Sequence, residues 1–291
     1  MPVYIARIRE AMIQAFYHDV VNTSKAAAYS GMLMFFPALL VIATLTAPVE
    51  DGPTVVGEVR SLLEQFLPAD TLDVLQSSIL THELHSGRLI VSTAAIGLFA
   101  GMGMMLSLME GFRRAYRLPV DNWSFWGRRA RALMLVPMAL LPLALASTMI
   151  VFGQQIEHWM TQNSGHQVRH IVVISWRMTR WSISFAAIVA VLTALYHFGT
   201  RRKEHWLWVA PGAIAGTVIW FPSTLAYGWY VTRVANYSLL YGSFGAGIAT
   251  LVWLYIASFS VLLGAELNGV LYWERQNRAA VENAGQQLMH S

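Results

Sequence analysis

Six stretches of this chain carry no Asp, Glu, Lys or Arg: residues 26–49, 89–109, 132–156, 181–200, 205–232 and 234–265, which are 24, 21, 25, 20, 28 and 32 residues long. A helix needs about 20 mainly apolar residues to cross a bilayer core of about 30 Å. Every run meets that length. Peptide groups in hydrocarbon have no water to bond, so each run must satisfy its own N–H and C=O groups, as an α-helix does. Helices buried in soluble proteins are usually shorter and flanked by charge. The runs therefore predict an all-α, polytopic membrane protein. It is a bundle of six transmembrane helices at about 26–49, 89–109, 132–156, 181–200, 207–231 and 242–268, in a single integral membrane domain over 1–291.

Composition supports this. Charged residues make up 12% of the 291, against roughly 25% in soluble domains. The 11 Trp and 11 Tyr are residues that favour the boundary between lipid and water. The chain has no cysteine, which excludes disulfide scaffolds, Cys-ligated zinc and thiol catalysis.

The first run follows a 25-residue polar arm and shows no small-residue cleavage pattern, so it is expected to be a span and not a cleaved signal. The arm reads as an amphipathic interfacial helix with Ile5, Ile8, Met12, Ala15 and Phe16 on one side. Placing the N-terminus in the cytoplasm leaves 14 Lys and Arg on inner segments and 6 on outer ones. The positive-inside rule favours that arrangement, with both termini cytoplasmic and 273–291 as a cytoplasmic tail. The outer loop 50–88 holds seven acids and two Arg. Its helical spacings break at Pro68, which predicts an external helical hairpin between the first and second spans. The inner segment 110–131 mixes six Arg with Trp123, Phe125 and Trp126, which suits anionic lipid headgroups.

Pro37, Pro137, Pro142, Pro211 and Pro222 fall in or beside the runs. Each removes a helix hydrogen bond, which gives either ordinary kinks or discontinuous helices around a substrate path. Gly97, Gly101 and Gly103, the pair Gly212 and Gly216, and the group Gly242, Gly245 and Gly247 after Tyr241 form small-residue clusters. Such clusters let helices approach closely, and tight packing within one chain or pairing in a homo-oligomer both answer to them. Ionisable groups at the run ends are Glu110, His197 and Glu266, the last followed by Asn268. An acid in a span is costly unless paired or wetted. Glu110 and Glu266 read either as a proton- or cation-linked site or as helix-end carboxylates paired with Arg113, Arg114 or Arg275. A substrate or ion path would draw on Glu110, Glu266, Asn268, Tyr241, Gly242, Pro37 and Pro211.

Catalytic signatures are wanting. His82-Glu83-Leu84-His85 lacks the spacing of a zinc-protease helix. His166 and His170 have His158 and Glu157 near them and no further carboxylate. There is no P-loop and no GxSxG elbow. The basic segments are scattered along membrane-adjacent stretches, which fits lipid better than nucleic acid. The expectation is a protein that is not an enzyme and has no cofactor, metal or nucleic-acid partner.

Particular residues carry a family resemblance. They are Ala26-Ala27-Ala28-Tyr29-Ser30 leading to Phe36-Pro37, then Phe66-Leu67-Pro68, Val209-Ala210-Pro211-Gly212-Ala213, Trp220, Tyr241-Gly242-Ser243, Trp253-Leu254-Tyr255 and Leu262-Leu263-Gly264-Ala265-Glu266-Leu267-Asn268. In these the chain resembles the YihY/BrkB family of bacterial inner-membrane proteins over about residues 18–272. Some members carry an old "ribonuclease BN" label that the residues here do not support. Met34-Phe35-Phe36-Pro37 departs from the family's usual serine-containing approach to that proline. The resemblance implies a six-helix inner-membrane protein with cytoplasmic termini. It also implies envelope work, as an exporter of lipid-like substrates or as an envelope component. Two functions are therefore expected to compete: a transporter or lipid-handling protein, and a non-transporting scaffold that binds an envelope partner through the outer loop. A membrane-bound ribonuclease is the remote third.

Overall fold

The structure is a computed structural model describing residues 2–46, 87–119, 124–140, 169–201, 205–233 and 245–289. Its helices are α1 (Pro2–Tyr17), α2 (Val20–Thr46), α3 (Gly87–Ala115), α4 (125–140), α5 (Arg169–Gly199), α6 (Trp206–Arg233) and α7 (Gly245–Met289). Among the described residues there is no strand. Among the described residues, four helices are long and apolar enough to cross a membrane: α3 from Val91, α5 from Ile174, α6 over its whole length, and α7 over Gly247–Ala284. The expected first span coincides with α2 as far as Thr46. Of the expected third span only 132–140 is described, as the second half of α4. The hairpin expected in 50–88, apart from the start of α3 at Gly87, lies outside the described residues, as do Tyr241 and Gly242.

Several boundaries differ from the expected ones for local reasons. Helix α3 continues past residue 109 to Ala115, because the charges there pair with one another along the helix. It then closes in a Schellman-type turn. Arg117 takes a left-handed φ of 51°, and Leu118 N–H donates to Arg113 O at 2.9 Å. Pro119 follows, as is common past such an end. Helix α5 starts at Arg169, well before residue 181. Helix α7 runs unbroken for 45 residues, so the expected tail after residue 272 continues this helix as far as Met289. Pro37, Pro211 and Pro222 sit inside continuous helices. On α1, Ala11 and Ala15 face inward at 4% and 3% exposure, while Ile5, Ile8, Met12 and Phe16 stay exposed. Ala15 therefore leaves the apolar face assigned to it and joins the core.

The helices meet at one end, where the last turns of α3 and α5, the first turns of α2 and α6, the second half of α4 and the middle of α7 converge. Phe112, Tyr116, Leu135, Tyr196, Val209 and Leu262 are all 2% exposed or less there. Tyr196 OH donates to Val261 O at 2.6 Å, and its ring meets Phe112 edge-on. Away from that end, Val91, Phe99, Met178, Val218 and Leu225 stay exposed. Apolar surface this extensive is what lipid covers.

Glycine sets the helix spacing. Gly97, Gly101 and Gly103 face Pro37, Met34 and Ser30 of α2. A methyl group on Gly212 would collide with Gly264 O and with Asn268, and one on Gly264 with Gly212 O. Gly212 and Gly216 thus serve the α6–α7 contact within one chain. Gly264→Ala should lower stability by about 1–3 kcal/mol through overpacking. Gly228→Ala, with nothing within 4 Å among the described residues, should not. Thermal unfolding in detergent compares the two.

Candidate functional site at the arginine-rich end

Charge gathers where the helices converge. Glu110, on the last turns of α3, accepts from Arg113 Nη2 at 2.6 Å, Arg114 Nε at 3.2 Å and Arg128 Nη2 at 3.1 Å. Arg128 comes from α4, so this carboxylate ties two helices together. Arg114 also reaches the turn between α1 and α2. Its Nη1 donates to His18 O at 3.3 Å and lies 3.7 Å from Asp19 Oδ2. Asp19 makes that turn possible, with a left-handed φ of 58° that short polar residues tolerate. Its side chain accepts from Asn22 Nδ2 at 2.7 Å.

Glu266 lies on α7 and is 1% exposed. Nδ1 of His18 is 2.9 Å from both of its oxygens. One turn of backbone and one side chain therefore carry the connection from Glu110 through Arg114 and His18 to Glu266. Each acid is closed by its own cationic or imidazole partner, and among the described residues they make no contact with one another. Arg7 on α1 adds a second tie to α7, to Glu274 at 2.7 Å.

Asn268, two residues beyond Glu266, works on backbone. Its Nδ2 donates to Val209 O and its Oδ1 accepts from Gly212 N–H, both at 2.8 Å. These two bonds bracket Pro211, which itself faces outward, and they hold α6 against α7 where the glycines touch. Pro37 is half-buried against Gly97. His197 stacks on Trp206 at 4.7 Å in an aromatic nest away from both acids. Arg131 donates to Phe198 O at 3.4 Å. Burial, and then the nearby Arg201 guanidinium, lower its pKa from the ordinary arginine value. Among the described residues, no three His, Asp or Glu side chains gather where they could hold a metal ion.

Beside this network a cleft of about 390 Å³ opens between α2 and α3, lined by Asp19, Asn22, Thr23, Ser107, Glu110 and Arg114. Ala26 and Leu106 form its apolar wall. Sequence reasoning missed His18, Asp19 and Arg128. His18 and Asp19 fall within the arm read as one interfacial helix, which the structure divides at residues 18–19 into the end of α1 and the start of α2.

Long apolar helices with a charged network at one end define a membrane protein. The chain belongs to the BrkB family: the model described as Virulence factor BrkB matches residues 13–287. It is 27% identical to the ribonuclease-like protein YfkH of Bacillus subtilis, over 91% of this chain and 94% of that protein. It is 21% identical to a UPF0761 membrane protein of Vibrio vulnificus, over 95% of this chain and 86% of that one. A UPF0761 membrane protein of Vibrio parahaemolyticus is 25% identical over 89% and 80%. No solved structure matches the chain.

Asn268→Ala removes both bonds that its amide makes from α7 to the α6 backbone, and should cost about 1–3 kcal/mol. Arg278→Ala, whose side chain is 75% exposed and 3.8 Å from Glu274, should cost well under about 1 kcal/mol. Denaturant midpoints in detergent would separate them.

Proposed function

We propose that this chain is an inner-membrane protein of six spans, with both termini cytoplasmic and residues 50–88 outside, that transports or otherwise handles lipid-like molecules of the bacterial envelope. The observation that carries this reading is the cleft between α2 and α3. Its volume of about 390 Å³ falls within the usual range for small-molecule sites, about 300–1,000 Å³. It lies at the arginine-rich end, which the positive-inside rule assigns to the cytoplasmic face. Arg114 and Asp19, 3.7 Å apart, give it a cation and an anion side by side. That pairing complements a headgroup carrying both a phosphate and an ammonium. Ala26 and Leu106 lie on the side towards the spans, where an acyl chain would leave. The cleft holds a headgroup and not a whole lipid, so the tails would stay in the surrounding bilayer against the exposed apolar faces.

The ribonuclease-like name of the Bacillus relative finds less support here. Acid–base cleavage needs a carboxylate or imidazole within reach of the scissile bond. Glu266 is 1% exposed, and Glu110 is closed by three guanidinium groups.

Protein reconstituted in nanodiscs should be more heat-stable with phosphatidylethanolamine than with phosphatidylglycerol of the same chains. Arg114→Gln and Asp19→Asn should each reduce that preference. Equal stability in both lipids would remove the headgroup reading. For topology, fluorescent-protein fusions at either terminus should fluoresce and alkaline-phosphatase fusions there should be inactive. A phosphatase fusion inserted within 50–88 should be active.

A further inference from the structure

The groups lining the cleft between α2 and α3 differ in what they still have to offer a ligand. Glu110 is full. Its Oε1 takes N–H groups from Arg113 and Arg114, and its Oε2 takes them from Arg113 and Arg128. Asn22 is engaged at both ends, its Nδ2 donating to Asp19 Oδ1 at 2.7 Å and its Oδ1 accepting from Lys25 Nζ at 3.4 Å. Three oxygens keep capacity. Asp19 Oδ2 lies 3.7 Å from Arg114 Nη1, beyond hydrogen-bonding distance. The hydroxyls of Thr23 on α2 and Ser107 on α3 have already given their single proton, to Asp19 O at 2.9 Å and to Gly103 O at 3.2 Å. A hydroxyl so engaged can only accept further bonds, so both walls of the cleft present acceptors. The one cation among the lining residues is Arg114. Its Nε and Nη1 serve Glu110 and His18 O, which leaves Nη2 to face a ligand.

We propose that the cleft selects a phosphodiester headgroup ending in a primary ammonium, as in phosphatidylethanolamine, and rejects one ending in trimethylammonium, as in phosphatidylcholine. This selection rests on the cleft's being a headgroup site, and it goes further by naming which ammonium is taken and which residues choose it. Arg114 holds the phosphate. Asp19 Oδ2, Thr23 Oγ1 and Ser107 Oγ receive the ammonium, whose three N–H groups match three acceptors. Bonds from an ionised donor are of the stronger kind. Each N-methylation replaces one donor with a methyl group that no acceptor can bond. A quaternary ammonium is held instead against aromatic faces, and none of the eight lining residues is aromatic. A site that hydrogen-bonds its ligand discriminates against the analogue lacking the donor, because its own polar groups are then left unpaired. Water moderates the effect here, since the Asp19 side chain is 53% exposed. Thr23 and Ser107 are thus specificity residues for the ammonium and take no part in holding the phosphate.

Native mass spectrometry of the full-length protein in detergent, titrated with lipids of identical acyl chains, tests this. Phosphatidylethanolamine should bind about 10-fold more tightly than phosphatidylcholine. Its N-methyl and N,N-dimethyl derivatives should fall between them in that order. Thr23→Val and Ser107→Ala should each lower the ethanolamine-to-choline ratio to about a third or less, with choline-lipid binding unchanged. The methylation series needs no variant, so it decides even if a substitution prevents folding. Equal binding of the ethanolamine and choline lipids, both tighter than phosphatidylglycerol, would overturn the selection while sparing the headgroup site. Equal binding of all three would remove the site and the selection together. A wild-type ratio in both variants would overturn the assignment to the two hydroxyls.

Discussion

An ionised group in a low-dielectric bundle must bring its own counter-charge, and this requirement organises the crowded end of the molecule. With 36 charged residues in 291, the chain cannot surround each ion with others, so single residues serve several partners. Arg114 is the clearest case. One guanidinium engages Glu110 on its own helix, the backbone of His18 and the side chain of Asp19. The turn from α1 to α2 is thereby fastened to α3. Through the His18 ring the same turn is fastened to α7. The core forms where these ties converge.

Close backbone approach is the second half of the design. Hydrocarbon offers helices no hydrophobic reason to associate, so contact area must come from small residues. Gly212 against Gly264 brings α6 and α7 close enough for Asn268 to reach the Val209 and Gly212 peptide groups. The asparagine and the glycines need each other. A larger residue at either glycine would push away the backbone that the amide bonds, and without the amide the two helices would lose both of those bonds.

Much of the helical layout was legible in the chain because apolar length is a local property. Charge-free runs found the centres of α2, α3, α5 and α6 and the first half of α7 without reference to any partner. Their ends were less readable. Arg113 and Arg114 look like a terminus until Glu110 is seen to pair with them along the same helix. The charged stretch after Trp273 looks like a tail, yet it continues α7. Ala15 read as part of an apolar stripe, but a small side chain fits the inward face where helices touch. The site was legible only in part. Glu110, Glu266 and Asn268 stand out as polar groups in apolar surroundings. Their partners do not: His18 is 248 positions from Glu266, and Asn268 bonds peptide groups that every residue possesses.

The length of α7 has a mechanical consequence. At about 1.5 Å per residue, its 45 residues make a rod of roughly 67 Å, about twice the thickness of a bilayer core. A good part of it must therefore stand clear of the lipid as a lever rigidly joined to the segment that bears Glu266. Any body that grips the free end, or any crowding that tilts it, would apply torque directly at the buried acid.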